Sequence, residues 1–272
     1  KHSRLYGVEL DSLSGRIAKQ LYPNAHITIS GFEQTSEKDF YDLAIGNVPF
    51  GQYRVNDPAF NKLGFSIHNY FFAKGLDQLR PGGIMAFITS RYTMDSKDNA
   101  VRKYIAERAE LLGAIRLPNN AFKANAGAEV VSDILFLQKR DRPIVNEPEW
   151  VSLGENKDGF AINRYFLDNP HMVLGGETTQ STRFGLDYTV IPHEEIPLST
   201  LLSDAIQHIH GSYQEAGLPD LGEGEEIRET MDLTVNRSAP LARSSAMPSS
   251  TSAICFSIDA CCRSKDMGIF SN

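Results

Sequence analysis

Cysteine is nearly missing from this chain. Its 272 residues hold three, Cys255, Cys261 and Cys262. That number excludes a disulfide framework over the rest of the chain and suits a reducing cytoplasm. Long apolar runs are missing too: none approaches the roughly 20 residues of a membrane span, and no secretory signal opens the chain. Metal-ligand patterns are scarce. His208 and His210 stand two apart, on different faces of a helix, and adjacent Cys261 and Cys262 lack zinc spacing, so no metal is expected. A uniform positive charge is also absent. The formal net charge is −7, which taken alone argues against a nucleic-acid partner. The charge is unevenly spread, however. Residues 1–140 carry 18 Lys and Arg against 14 Asp and Glu, whereas residues 141–272 carry 9 against 20. The first part is mildly basic and permits phosphate contacts.

Residues 1–140 alternate strand-length apolar runs with amphipathic ones. The runs are Leu5–Leu10, His26–Ser30, Tyr41–Gly46, Ile84–Ser90, Leu111–Leu117 and Ile134–Gln138. Between them, Ser12–Leu21 stacks Leu13, Ile17 and Leu21 on one helical face, with Asp11 as N-cap. Ser66–Leu79 and Asn99–Leu111 show the same period, the former stopping at Pro81-Gly82-Gly83. Apolar strands alternating with helices predict an α/β fold with a doubly wound, mostly parallel sheet. Residues 141–232 are broken by prolines and end in an acidic stretch from Asp220. They are expected to be an irregular, partly helical extension serving target recognition or linkage, with one helix over Ser199–Ser212. Residues 233–272 turn to Ser and Ala without a period and are expected to be a disordered tail.

The run Tyr41–Gly46 ends in Asn47-Val48-Pro49-Phe50. A strand ending in Asn-x-Pro-aromatic presents polar oxygens and a flat ring at a sheet's carboxyl edge. An amine conjugated to a flat ring is a poor nucleophile. A catalyst must accept its hydrogen bonds and hold it in line with an electrophile. The Asn47 amide oxygen and a neighbouring carbonyl suit that task. Glu9 closes an earlier strand, where a carboxylate can grip both hydroxyls of a ribose.

The tetrapeptide resembles the Asn-Pro-Pro-Tyr or Asn-Pro-Pro-Phe motif of the N6-adenine DNA methyltransferases. Tyr41-Asp42-Leu43-Ala44-Ile45-Gly46-Asn47 is similar to the strand that carries it. The resemblance spans residues 4–140 and implies a Rossmann-like domain that uses S-adenosylmethionine and flips its target base out of DNA. It gives the target amine to Asn47 and the Val48 carbonyl, and a stacking ring to Phe50, with Pro49 stiffening the turn. Val48 replaces the first proline of the usual motif. Glu9 takes the cofactor ribose and Phe32 its adenine ring. The family's acid before that Phe is absent because Gly31 stands in its place, and Glu33 is the substitute. Phe122, in a glycine-containing loop, supplies a second aromatic against the flipped base.

The family's first strand and glycine loop find no room before Glu9, so the resemblance implies a truncated sheet lacking both. The wording of Asn47–Gly51, Phe71–Lys74 and Phe122–Gly127 resembles methyltransferase domains of large helicase-linked proteins from bacterial mobile elements and phages. The implied partners are DNA and the helicase or restriction domains of such a protein, with no membrane. Two other readings stay open: a protein-glutamine or RNA N-methyltransferase, and a non-catalytic DNA-binding remnant of a helicase-like protein.

Overall fold

A computed structural model describes residues 4–51, 53–123, 129–182, 185–212 and 252–256 of the chain. The strands are β1 (Arg4–Glu9), β2 (His26–Ile29), β3 (Tyr41–Asn47), β4 (Leu79–Ser90), β5 (Ala109–Leu117), β6 (Ser132–Lys139), β7 (Leu153–Glu155), β8 (Ala161–Asn163), β9 (Gly176–Thr182), β10 (Gly185–Ile191) and β11 (Ser252–Phe256). The helices are α1 (Ser12–Leu21), α2 (Ile67–Gln78), α3 (Tyr92–Asp95), α4 (Ala100–Arg108), α5 (Arg164–Asp168) and α6 (Leu198–Ile206). Among the described residues no helix is long and apolar enough to cross a membrane.

Seven strands form one sheet in the order β2-β1-β11-β3-β4-β6-β5. The pairs from β2 to β4 are parallel, and β4–β6 and β6–β5 are antiparallel. All six apolar runs of residues 1–140 are strands. The register aligns Gly7 with Ile45 and Ala86, and Tyr6 with Ala44 and Met85, through β11. The Gly15 Cα of α1 rests on Ile29 and Glu9, in the first of these rows. Gly75 of α2 rests on Met85 and Phe87, in the second, so closely that an added Cβ would lie 2.7 Å from the Met85 methyl. The two helices therefore cover opposite faces, as a doubly wound sheet requires. Phe72, Leu76, Met85, Phe87, Ile105, Ile115 and Leu135 form the fully buried core.

Three expectations need correction. First, Leu13, Ile17 and Leu21 do line one face of α1, but that face points outward, with all three exposed. The helix touches the sheet through Gly15 instead. Second, a strand at Ser252–Phe256 lies inside the stretch expected to be disordered. It fills the slot between β1 and β3, parallel to both, so a sheet expected to lack a strand there is continuous. Composition pointed to disorder because Ser and Ala dominate around it, while the short run Ala253-Ile254-Cys255-Phe256 has strand character of its own. Third, residues 141–212 carry two small antiparallel sheets, β7–β8 and β9–β10, besides the expected helix, which runs over α6. The acidic stretch from Asp220, Cys261 and Cys262 lie outside the described residues.

Buried charge fastens this second region to the sheet. Arg116 of β5 is fully buried. Its Nε and Nη2 donate to the two Asp133 carboxylate oxygens at 2.8 and 2.9 Å, and its Nη1 lies 2.9 Å from Asp95 Oδ2. The guanidinium sits 4.1 Å from the Phe166 ring centre and 5.5 Å from that of Tyr188. Nearby, Arg91 Nη2 donates to Asp187 Oδ1 at 2.6 Å, and the Asn119 amide donates to the Val190 carbonyl at 2.8 Å.

Candidate active site

A carboxylate closes β1, and a second follows the neighbouring parallel strand β2 in a short turn. Glu9 ends β1, is buried, and accepts the Asp11 amide at 2.8 Å through Oε1. Asp11 is the N-cap of α1, accepting from the Leu13 and Ser14 amides at 3.1 and 2.8 Å. The two acids thus divide their roles as their positions predict: the first faces the strand end and the second holds the helix.

After β2 the chain makes a short 3₁₀ turn over Phe32–Gln34. Here the Glu33 carboxylate folds back over Gly31 and fills the space that a Cβ on Gly31 would need. An acidic group therefore stands where a side chain at position 31 would project, although residue 31 has none. Phe32 is buried, tilted against Phe71 at 4.8 Å and edge-on to Tyr70 at 6.1 Å. Its ring belongs to the aromatic core and offers a wall rather than an open platform.

Asn47 is the last residue of β3. It is 5% exposed, and its side-chain Oδ1 is buried with no hydrogen-bond partner. An acceptor in that state costs free energy on the order of 1–3 kcal/mol unless a donor reaches it. Val48 is fully buried, and its amide donates to the Ile88 carbonyl at 3.0 Å. Proline could not make that bond. The β3–β4 ladder therefore runs one residue past Asn47, and this tie replaces the stiffness a first proline would give. Phe50 is 7% exposed and packs in the core, so most of its ring is unavailable for stacking. Beneath the turn lies His68, buried within hydrogen-bond reach of Ser66 Oγ. Burial depresses its pKa to about 4, against a weaker opposing bond with the Gly51 backbone. At neutral pH this ring is an uncharged prop. At the strand's start, Asp42 accepts from Arg80 Nε at 2.7 Å, a structural tie to β4.

Phe122 follows β5 and is half-buried against the core in a turn. Residues 124–128 of its loop lie outside the described residues.

One group has no role in the sequence reading. Lys74, in the otherwise apolar stretch Phe71–Leu76, is 5% exposed. Its ammonium donates to Asp57 Oδ2 at 2.8 Å and to the Glu33 carbonyl at 3.1 Å, and lies 5.4 Å from the Phe32 ring centre. Tyr70 donates to the same Asp57 oxygen at 2.8 Å. Burial would raise the Asp57 carboxyl, but the Lys74 and Tyr70 bonds outweigh it and hold the carboxyl below its usual range. Lys74 thus joins the turn after β2 to the loop after β3. The available signal was a lone lysine among Phe71, Phe72, Ala73 and Leu76, which must find an anion when buried.

Residues 8–122 match the model of the Eco57I restriction-modification methylase family. Over 139 residues the chain is 34% identical to the defense against restriction protein B of Escherichia phage P1. That alignment takes in 48% of this chain and 6% of the phage protein, so the chain spans a small part of that relative. Among solved structures, a class I S-adenosylmethionine-dependent methyltransferase described as putative, from Listeria monocytogenes, superposes with a TM-score of 0.42 and 23% identity. It covers 53% of this chain and 46% of its own. A modification subunit of a putative type I restriction enzyme from Vibrio vulnificus gives 0.44 and 15%, covering 58% and 46%. The match to the Eco57I restriction-modification methylase model spans residues 8–122, the segment that holds Glu9, Phe32, Asn47 and Phe122.

Proposed function

We propose that this chain carries the methyl-transfer centre of an N6-adenine DNA methyltransferase. The observation that carries the reading is the buried, unpartnered Asn47 Oδ1 at the carboxyl end of β3. It is an acceptor held ready for a donor, and the exocyclic amine of adenine is such a donor. Asn47 Oδ1 takes one amine hydrogen and the Val48 carbonyl the other. This draws the nitrogen from planar toward tetrahedral, withdraws its lone pair from conjugation with the ring and raises its nucleophilicity. The amine proton leaves to water after transfer, so the neutral His68 has no part in the chemistry. Phe50 and Phe122 border the base, the former through its exposed edge.

The residues at the ends of β1 and β2 fit S-adenosylmethionine. Glu9 would hold the ribose hydroxyls. Glu33, folded into the place of a residue-31 side chain, would accept from the cofactor's adenine amine beside Phe32. When bound, the cofactor supplies an electrophilic methyl group. Carboxylates and a neutral amide leave that cationic donor unopposed by nearby positive charge, since the Lys74 ammonium is already paired. DNA is the substrate class that the family match and the mildly basic first half support. A role in protecting DNA from restriction, as the phage relative's name describes for that protein, is part of the same proposal.

The test is transfer of labelled methyl from S-adenosylmethionine to unmethylated duplex DNA, followed by nucleoside chromatography. Label is expected in N6-methyladenine. Asn47→Ala should lower the rate by about 10²–10³-fold while cofactor affinity stays within a few-fold. An Asn47→Ala protein as active as the parent would remove the assigned role.

A further inference from the structure

The loop that follows the Asn47 turn encloses a cavity of ≈ 290 Å³ outside the groups assigned above. Phe60, Phe65 and Tyr70 wall it, and Arg54, Asn56 and Asn61 line its polar side. Phe60 stands edge-on to Tyr70 at 5.7 Å, and Phe65 edge-on to Tyr104 at 5.7 Å, so the rings are braced by neighbours. Gly64 takes φ +64°, a conformation open to glycine, and lets the Arg54 guanidinium lie alongside the turn.

The polar inventory decides what this cavity takes. Asn61 Oδ1 accepts the Asp57 amide at 2.9 Å, and Asn61 Nδ2 donates to Asn56 Oδ1 at 2.8 Å. Both amide oxygens are engaged inward. Among the described residues, the Asn56 amino group and the second Asn61 N–H meet no acceptor. Arg54 and the nearby Lys62 are exposed and form no ion pair among the described residues. The carboxylate of this loop, Asp57, is buried and neutralised by Lys74. A mouth rich in donors, cationic and lined with aromatic faces suits a phosphate with a planar group attached.

We propose that this cavity is a second DNA subsite, which binds a nucleotide flanking the flipped adenine. Its phosphate meets Arg54 and Asn56, and its base or sugar rests against Phe60 and Phe65. Arg54 stands seven residues beyond Asn47 on the same loop, and the proposal sets the subsite beside the strand that delivers the target. The inference rests on the reading of DNA as substrate and adds a residue set that grips the strand independently of methyl transfer.

Fluorescence anisotropy of the full chain with a labelled 20-nucleotide single strand and duplex, at several salt concentrations, tests it. Arg54→Ala should weaken binding about tenfold and lower the slope of log affinity against log salt by roughly 0.7–0.9, one phosphate's share. Arg54→Lys should keep most of the salt slope, and Asn56→Ala should weaken binding by a smaller factor. Melting temperature and S-adenosylmethionine binding by calorimetry should stay unchanged in all three. Unchanged DNA affinity and slope in Arg54→Ala would overturn the proposal. So would displacement of the oligonucleotide by inorganic phosphate no weaker than by a dinucleotide, since the site would then take any small anion. A chain that binds DNA through Arg54 but yields no N6-methyladenine would sink the reaction assigned to Asn47 and leave the subsite standing.

Discussion

At the scale of single residues, two groups around the β3 turn are neutral at physiological pH. Asn47 waits with an unfilled acceptor, and His68 is held neutral. The latter has a consequence for stability. The buried His68 titrates near 4, whereas an unfolded histidine titrates near 6.5. Between those values the unfolded chain binds the extra proton and the folded chain refuses it. Above about pH 6.5 His68 imposes no penalty. As pH falls toward 4 the native state loses stability, by up to about 3 kcal/mol. Urea unfolding at pH 7, 6 and 5 should show a falling midpoint, and His68→Gln should flatten that fall. A midpoint equally steep in both proteins would mean other groups carry the acid sensitivity. The end positions of Glu9, Asp11 and Asn47 were readable residue by residue because each closes or caps an element. The pairing of Lys74 with Asp57 was not. It depends on a loop of unpatterned sequence returning to a helix, and neither residue marks the other along the chain.

At the scale of elements, strands were more legible than surfaces. Each apolar run of residues 1–140 became a strand, most clearly β4, β5 and β6, where burial on both faces leaves little polar alternation to confuse the pattern. The α1 stripe misleads for the complementary reason. Period shows which residues share a face, and Gly15, which carries no hydrophobic signal, decides which face docks by permitting the closest approach to Ile29. Hairpin β9–β10 was missed because Thr, Gln and Ser on an exposed strand read as loop. The end of β3 yields a prediction of its own. The Val48 amide extends the ladder to Ile88, so Val48→Pro should restore the familiar motif yet destabilise the protein by about 1–3 kcal/mol, leaving the Ile88 carbonyl unpaired. Denaturant unfolding would measure it. A stabilised variant would show that turn rigidity outweighs the ladder bond here.

At the scale of the whole molecule, the second region packs its rings on a charge cluster buried at the sheet's edge. Arg116 answers both Asp133 and Asp95, from β6 and α3, while its flat face lies against Phe166 and Tyr188 from the second region. Removing it would strand two buried carboxylates. Arg116→Met should cost about 3–5 kcal/mol, and hydrogen exchange should rise first in residues 160–190, whose anchor it is. Uniform exchange throughout would place the tie elsewhere. The pair was visible in the sequence only as two charges in apolar strands, Arg116 in Leu111–Leu117 and Asp133 before Ile134–Gln138, without a sign that they meet.

The strand at Ser252–Phe256 sets an order of events during synthesis. It stands between residues 4–8 and residues 43–46, which are made first, yet it leaves the ribosome more than 200 residues after them. At about 5–20 residues per second, the two early strands wait on the order of 10–40 s before their shared neighbour exists. Through that interval β1 and β3 keep open edges, the condition under which strands pair with the wrong chain. The sheet can close only after translation has passed residue 256.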